Sequence, residues 1–325
     1  MTSNNITNIK YFVITGFPGL QPQYYGPVSV LLLLVFLAIM IGNGLTLATI
    51  TFVQTLHKPT YLIFCNLAMT DLAFGTVTLP RVIARYWWND VISSYIACFT
   101  QMYFVHALGA IHSLILLMMA LDRFVAVWFP FQYLVLFTNK SVSISCALCW
   151  ILTLIRMAGI VFNASTLPYC DVNVIMQCYC NHISITRLAC GNRLAFINEV
   201  AIANAMVTLM FPLSFIIFSY FSIFIAVLRI SQVERRHKVL STCAPQLFIT
   251  GLYYVPRSFV YIANNVGFHF SILARVVITM MYSLIPAAVN PLIYCFKTAD
   301  IKQALIQRVK NAKIDINYLL TFISN

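Results

Sequence analysis

The residues of this chain that could do chemistry sit where charge is least tolerated. Asp71, the adjacent Asp122 and Arg123, Arg156 and Arg257 each interrupt or end a long apolar run, and Asn43, His106, His112 and Asn290 lie within others. Charge inside such a run is expensive in a bilayer and is kept for a function. Asp71 therefore needs a partner, and Arg257, directly after Pro256, needs an anion or strong acceptors. Arg156 is a second cation with the same need. Catalysis is a poor fit: no His-Glu-x-x-His segment or other metal-ligand or nucleophile set that would activate water is present. The expectation is a protein that is not an enzyme and holds no catalytic metal.

The elements that must position these side chains are membrane helices. The chain has 325 residues, of which 61% are hydrophobic and 9% charged, whereas a soluble domain carries about a quarter charged residues. The mean hydropathy is +0.86. Apolar runs of the roughly 20 residues that a spanning helix requires occur near 27–52, 60–84, 97–128, 141–162, 197–228, 239–262 and 273–296. Open strand edges cannot face lipid, so each run must be helical. The fold class expected is an all-α, seven-transmembrane helix bundle. No cleavable signal peptide precedes the first run, which would then act as a signal anchor.

Basic residues orient the bundle. With the N-terminus outside, Lys58, Arg123, Lys140, Arg229, Arg235, Arg236, Lys238, Lys297, Lys302, Arg308, Lys310 and Lys313 are cytoplasmic, twice the external number. The net charge of +12 is thus a topology signal, and no nucleic acid partner is expected. Asn5-Ile6-Thr7 is a glycosylation acceptor on the same side, although Asn139-Lys140-Ser141 fits the tripeptide too and would be cytoplasmic. Cys170, Cys178, Cys180 and Cys190 crowd one polar stretch that also falls outside, where disulfides persist. Zinc on Cys178, Cys180 and His182 is the competing reading, disfavoured in an oxidising compartment. The organisation expected is an extracellular N-terminus (1–26), a seven-transmembrane domain (27–296) and a cytoplasmic tail (297–325). Basic and apolar residues alternate at helical spacing from Lys297 to Lys313, which points to an amphipathic helix on membrane lipids.

The polar residues also fall in a telling order. Gly42-Asn43, Leu67-Ala68-Met69-Thr70-Asp71, Asp122-Arg123-Phe124, Trp150, Pro212 with Ser219-Tyr220, and Asn290-Pro291-Leu292-Ile293-Tyr294 follow one another along the spans. The set resembles the rhodopsin-like (class A) G-protein-coupled receptors across all seven helices. Met119-Ala120-Leu121-Asp122-Arg123-Phe124-Val125-Ala126-Val127, Lys238-Val239-Leu240-Ser241-Thr242-Cys243-Ala244-Pro245 and Leu56-His57-Lys58-Pro59-Thr60-Tyr61 look like the signatures of odorant receptors. Among these the chain is most similar to the fish-like group that reads water-borne ligands. Phe124, Trp128 and Gln246 depart from the pattern, standing where Tyr, Cys and His are usual.

The resemblance implies roles. It pairs Cys98 with Cys180 and Cys170 with Cys190, leaving Cys178 over. It makes Arg123 a switch, held at rest by Asp122 and released toward the G protein as the sixth helix moves, with Tyr220 and Tyr294 rearranging beneath it. It gathers Asn43, Asp71 and Asn290 into a water-filled pocket that holds a sodium ion in many relatives, and no other cofactor is expected. His112, ten residues before Asp122, would face that pocket, and once protonated would replace sodium as the counter-charge. The ligand cavity implied lies between helices three, five, six and seven, with His106, Asn204, Thr208, Tyr254, Arg257 and Tyr261 sharing it. An anionic or zwitterionic odorant paired to Arg257 is the sharpest expectation, against an Arg257 that bonds only to carbonyls or to Glu199. The function implied is odorant binding outside the cell and activation of a heterotrimeric olfactory-type stimulatory G protein that raises cAMP. The setting implied is the plasma membrane of olfactory sensory cilia. A class A receptor for a steroid, bile-acid or prostaglandin-like signal is the alternative. A light sensor would need a Schiff-base lysine in the last span, and none lies between residues 272 and 296.

Overall fold

A computed structural model describes residues 9–170, 173–265, 270–297, 301–304 and 306. The seven apolar runs are seven helices packed side by side: α1 (Tyr25–Phe52), α2 (Pro59–Trp87), α3 (Tyr95–Trp128), α5 (Asn139–Ser165), α7 (Leu194–Leu228), α8 (Val233–Asn265) and α9 (Ile272–Lys297). Two short helices lie between them, α4 (Pro130–Leu136) and α6 (His182–Thr186). Among the described residues, six of the seven long helices, all but α8, are long and apolar enough to cross a membrane on composition alone. α8 begins six residues before the apolar run, because Glu234, Arg236 and His237 extend it as a polar turn.

Local chemistry sets the helix ends. Ser94 accepts from the Ala97 N–H at the start of α3. Thr138 and Ser141 form a reciprocal capping box on α5, and Pro59 and Pro130 open α2 and α4 where an amide hydrogen has no helical partner. Pro80, Pro212, Pro245, Pro256, Pro286 and Pro291 sit inside helices, which membrane bundles tolerate because neighbours satisfy the freed carbonyls. One such carbonyl is visible: Ala287 O, four residues before Pro291, accepts from Asn43 Nδ2 at 2.9 Å. Gly42 lets α1 approach α9 closely, since a Cβ there would stand 2.9 Å from that of Pro291.

The end of the bundle that carries the disulfides is closed by a small sheet in the order β2-β1-β3, with β1 (Tyr11–Ile14), β2 (Ile92–Ser94) and β3 (Val174–Ile175). β1 runs antiparallel to β2 and parallel to β3. Residues 11–14, ahead of the first span, are therefore a strand that lids this end of the bundle, a feature beyond the extracellular N-terminus expected. Phe12 and Ile14 are fully buried against Cys98, Phe99, Tyr169 and Cys180. Arg85 fixes the strand to α2: it donates to Ile14 O at 3.2 Å and lies over the Tyr25 and Tyr86 rings. At the opposite end Ile301 is buried in the main core. Asn5 and the tail beyond residue 306 lie outside the described residues.

Candidate functional site

Three layers of polar contacts run down the bundle. At the end away from the disulfides, Asp122 is fully buried and its carboxylate pairs with Arg123 at 3.2 Å. It also accepts from Tyr133 Oη at 2.9 Å and from Thr60 Oγ1 at 3.3 Å. The lock is thus wider than the adjacent pair: Thr60 comes from α2 and Tyr133 from α4. Thr60 stood only inside the Leu56–Tyr61 signature and Tyr133 was not singled out, because each becomes relevant only when its helix is packed against α3. Tyr220 donates to Gln246 Oε1 at 3.3 Å, so an unusual residue of α8 is what holds the α7 tyrosine. Tyr294 is buried and stacks on Phe64 with ring centroids 4.7 Å apart. Phe124 packs among Trp128, Phe129 and Phe218.

In the middle layer Asn290 Nδ2 donates to one oxygen of Asp71 at 2.8 Å, and His112 Nδ1 stands 3.3 Å from the other. His112 lies flat on the Tyr253 ring at 4.4 Å, and Tyr253 donates to Gly109 O at 2.6 Å. Asn43 is buried but contacts the backbones of α1 and α9 instead of the carboxylate. Each Asp71 oxygen thus has one nitrogen neighbour, while the Oδ1 atoms of Asn43 and Asn290 are buried in the same layer with no hydrogen-bond partner among the described residues.

Above this layer a narrow cavity, with space for about one water molecule, is lined by Asp71, Leu108, His112, Tyr253, Arg257, Tyr282 and Ser283. It lies between α2, α3, α8 and α9. Arg257 spans its wall, 3.8 Å over the Tyr253 ring and 4.8 Å over that of Tyr282, and donates to Tyr253 O at 3.2 Å. Among the described residues no carboxylate is within ion-pair distance of Arg257. Tyr179 reaches down from the loop to Ser283, 3.1 Å away.

The remaining residues expected in the cavity do other work. His106 Nε2 accepts the His182 N–H at 3.1 Å and fastens the loop to α3. Tyr254 meets Ser113 at 2.6 Å, and Ser113 in turn donates to Thr208 O, joining α8, α3 and α7. Asn204 and Thr208 turn toward α5, contacting Met157 and Arg156. Spacing along α7 could place them on the inward half of that helix but could not say which neighbour they would meet. Tyr261 belongs to α8, and its side chain lies outside the described residues.

Two disulfides secure the loop, Cys98–Cys180 with Cα atoms 5.4 Å apart and Cys170–Cys190 at 5.9 Å. Cys178 is free and buried beside Tyr86, and burial pushes its thiol up to about 12, so it is an inert packing residue. Burial likewise holds the His182 imidazole below its ordinary value, which keeps it neutral at pH 7. Among the described residues no group of three His, Cys, Asp or Glu side chains could hold a metal ion.

Seven helices around a buried Asp–Arg lock define a multi-pass membrane receptor of the rhodopsin-like architecture. A family model described as olfactory receptor matches residues 32–312. Olfactory receptor 1500 of Rattus norvegicus is 31% identical over 97% of this chain and 100% of its own length. Olfactory receptor 51E2 of Homo sapiens is 33% identical over 95% and 96%, and olfactory receptor 52K1 of Homo sapiens 32% over 94% and 98%. The chain belongs to the olfactory receptor family, whose members are odorant-sensing G-protein-coupled receptors and not enzymes.

Proposed function

We propose that this receptor reads a small anionic or zwitterionic odorant through Arg257 and signals through an olfactory-type stimulatory G protein to raise cAMP. The observation that carries the reading is the unpaired guanidinium on the cavity wall. Among the described residues its one hydrogen-bond acceptor is a carbonyl, and its two aromatic neighbours are no competitors for a carboxylate or sulfate. The disulfide end faces the extracellular side, as the twofold basic bias of the other end supports. The ligand would enter beneath the β1 lid. The cavity is too small for an odorant in this state, so binding must widen it, drawing α8 and α9 apart at Tyr282 and Ser283. Such movement is transmitted along α8 from Arg257 to Gln246 and Tyr220, and so to the Asp122 lock. His112, in place of sodium, serves as the partner of Asp71 and ties that layer to Tyr253 of α8.

The test is cAMP measured in cells that co-express the stimulatory G protein, with amino acids, carboxylic acids, bile salts and steroid or prostaglandin conjugates as ligands. An anionic agonist is expected. Arg257→Ala should shift its half-maximal concentration at least about tenfold, as loss of a hydrogen bond to a charged group requires, and Arg257→Lys should restore part of it. An agonist equally potent on Arg257→Ala overturns the pairing.

A further inference from the structure

Arg156 does not line the cavity at all. It is exposed on the outer face of α5, at a depth where the surroundings are lipid. Its neighbours on that face are Leu152, Ile155 and Phe162, all exposed and apolar. The guanidinium donates to Thr208 Oγ1 across the α5–α7 groove at 3.1 Å. Thr208 in turn donates to Asn204 O at 2.6 Å, and the Asn204 amide contacts Met157 across the same groove. One permanent cation, one amide and one hydroxyl thus form a polar seam on the lipid-facing side.

The depth decides what could occupy it. α7 has 35 residues, about 52 Å at 1.5 Å per residue, against a hydrocarbon core of about 30 Å, so with the core centred on the helix Thr208, fourteen residues from the Leu194 end, lies about 10 Å inside it. Helical side chains lean toward their own N-terminus, and the N-terminal end of α5 is its Asn139 end. The stem of Arg156 therefore leads toward the bilayer centre and not to the nearer headgroups at Ser165. Water and phospholipid phosphate are both remote. Beside the guanidinium, Gly159 leaves open space where a Cβ would stand, so the groove has room for an alkyl chain next to the charge.

We propose that the α5–α7 groove is a lateral binding site for a single-chain anionic amphiphile of the fatty-acid class, entering through the bilayer. The carboxylate pairs with Arg156 and bonds to the Asn204 amide, and the chain lies along Leu152, Ile155 and Phe162. A carboxylate is small enough to leave the headgroup region once its charge is matched, whereas a phospholipid headgroup is not. Such a ligand would bridge α5 to α7, the helix whose Ser113 and Tyr254 contacts lead to α3 and α8.

The experiment uses the full receptor in phosphatidylcholine nanodiscs and a diazirine-bearing palmitate. Photolabelling should map to α5 and α7, and palmitate should compete at least about tenfold better than methyl palmitate, the least that one charge-assisted contact supplies. Arg156→Gln should reduce labelling by a similar factor, Arg156→Lys by less, and Arg257→Ala not at all, which separates this site from the cavity. The acid and ester comparison needs no variant, so misfolding of Arg156→Gln does not leave the matter open. Equal competition by the ester, labelling spread evenly over all helices, or full labelling of a folded Arg156→Gln overturns the proposal.

Discussion

Replacing Tyr133 by Phe tests the lock at a point where geometry and energy are both defined. The ring stays, with its stacking on Phe137 at 5.3 Å; only the hydroxyl is lost. That hydroxyl donates to a fully buried carboxylate at 2.9 Å. A hydrogen bond to a charged group contributes about 1.5–3 kcal/mol, roughly ten- to hundredfold in an equilibrium constant. Thr60 and Arg123 remain on Asp122 at 3.3 and 3.2 Å, so the lower end applies, about tenfold. If the active state is a minor one of about 1%, its share rises to about 10%, and ligand-free cAMP should rise several-fold at matched surface expression. Thr60→Val, which removes a longer contact, should raise it less. The substitution matters only if the contact is lost on activation, because a bond kept equally in both states shifts nothing. Unchanged basal cAMP in Tyr133→Phe at equal surface level would refute the assignment of Tyr133 to the resting lock.

Further outcomes follow from the same contacts. His112→Ala removes the nitrogen 3.3 Å from Asp71 and should shift agonist potency at least about tenfold; an unchanged dose–response curve at equal surface level would end the role given to His112. Cys98→Ser opens the link between α3 and the loop, a loss of about 2–5 kcal/mol, and flow cytometry should find little receptor at the surface. Gly42→Val forces a side chain against Pro291 and should destabilise purified receptor by about 1–3 kcal/mol; a thermal-shift assay that shows no loss would contradict the close α1–α9 approach. Phe12→Ser puts a hydroxyl in the buried cluster under the lid, and should cut surface expression while leaving ligand-free cAMP per surface receptor unchanged.

How much of this was legible beforehand depends on whether a signal is local. The seven spans were, since each needs only its own run of apolar residues and a bilayer in which every backbone amide must bond within the helix. The ordered polar residues carried the family resemblance, and that resemblance implied both disulfide pairings. The lid was not read, although Tyr11-Phe12-Val13-Ile14 is a run of strand-favouring residues: its partners are residues 92–94 and 174–175, far away in sequence.

The ligand residues show the same division. Residue type alone required that Arg257 and Arg156 each find an acceptor, because a guanidinium does not lose its charge in a membrane. Which acceptor was a matter of helix rotation and neighbour. Tertiary packing turned Arg257 onto Tyr253 and Tyr282 beside Asp71 and His112, and turned Arg156 outward with Thr208 for company. It also withdrew Asn204, Thr208, His106 and Tyr254 from the cavity by giving each a nearer partner. The sequence by itself determined that charge must be met inside this membrane protein; packing decided where, since a side chain three or four residues along a helix points the same way but meets whatever helix stands opposite.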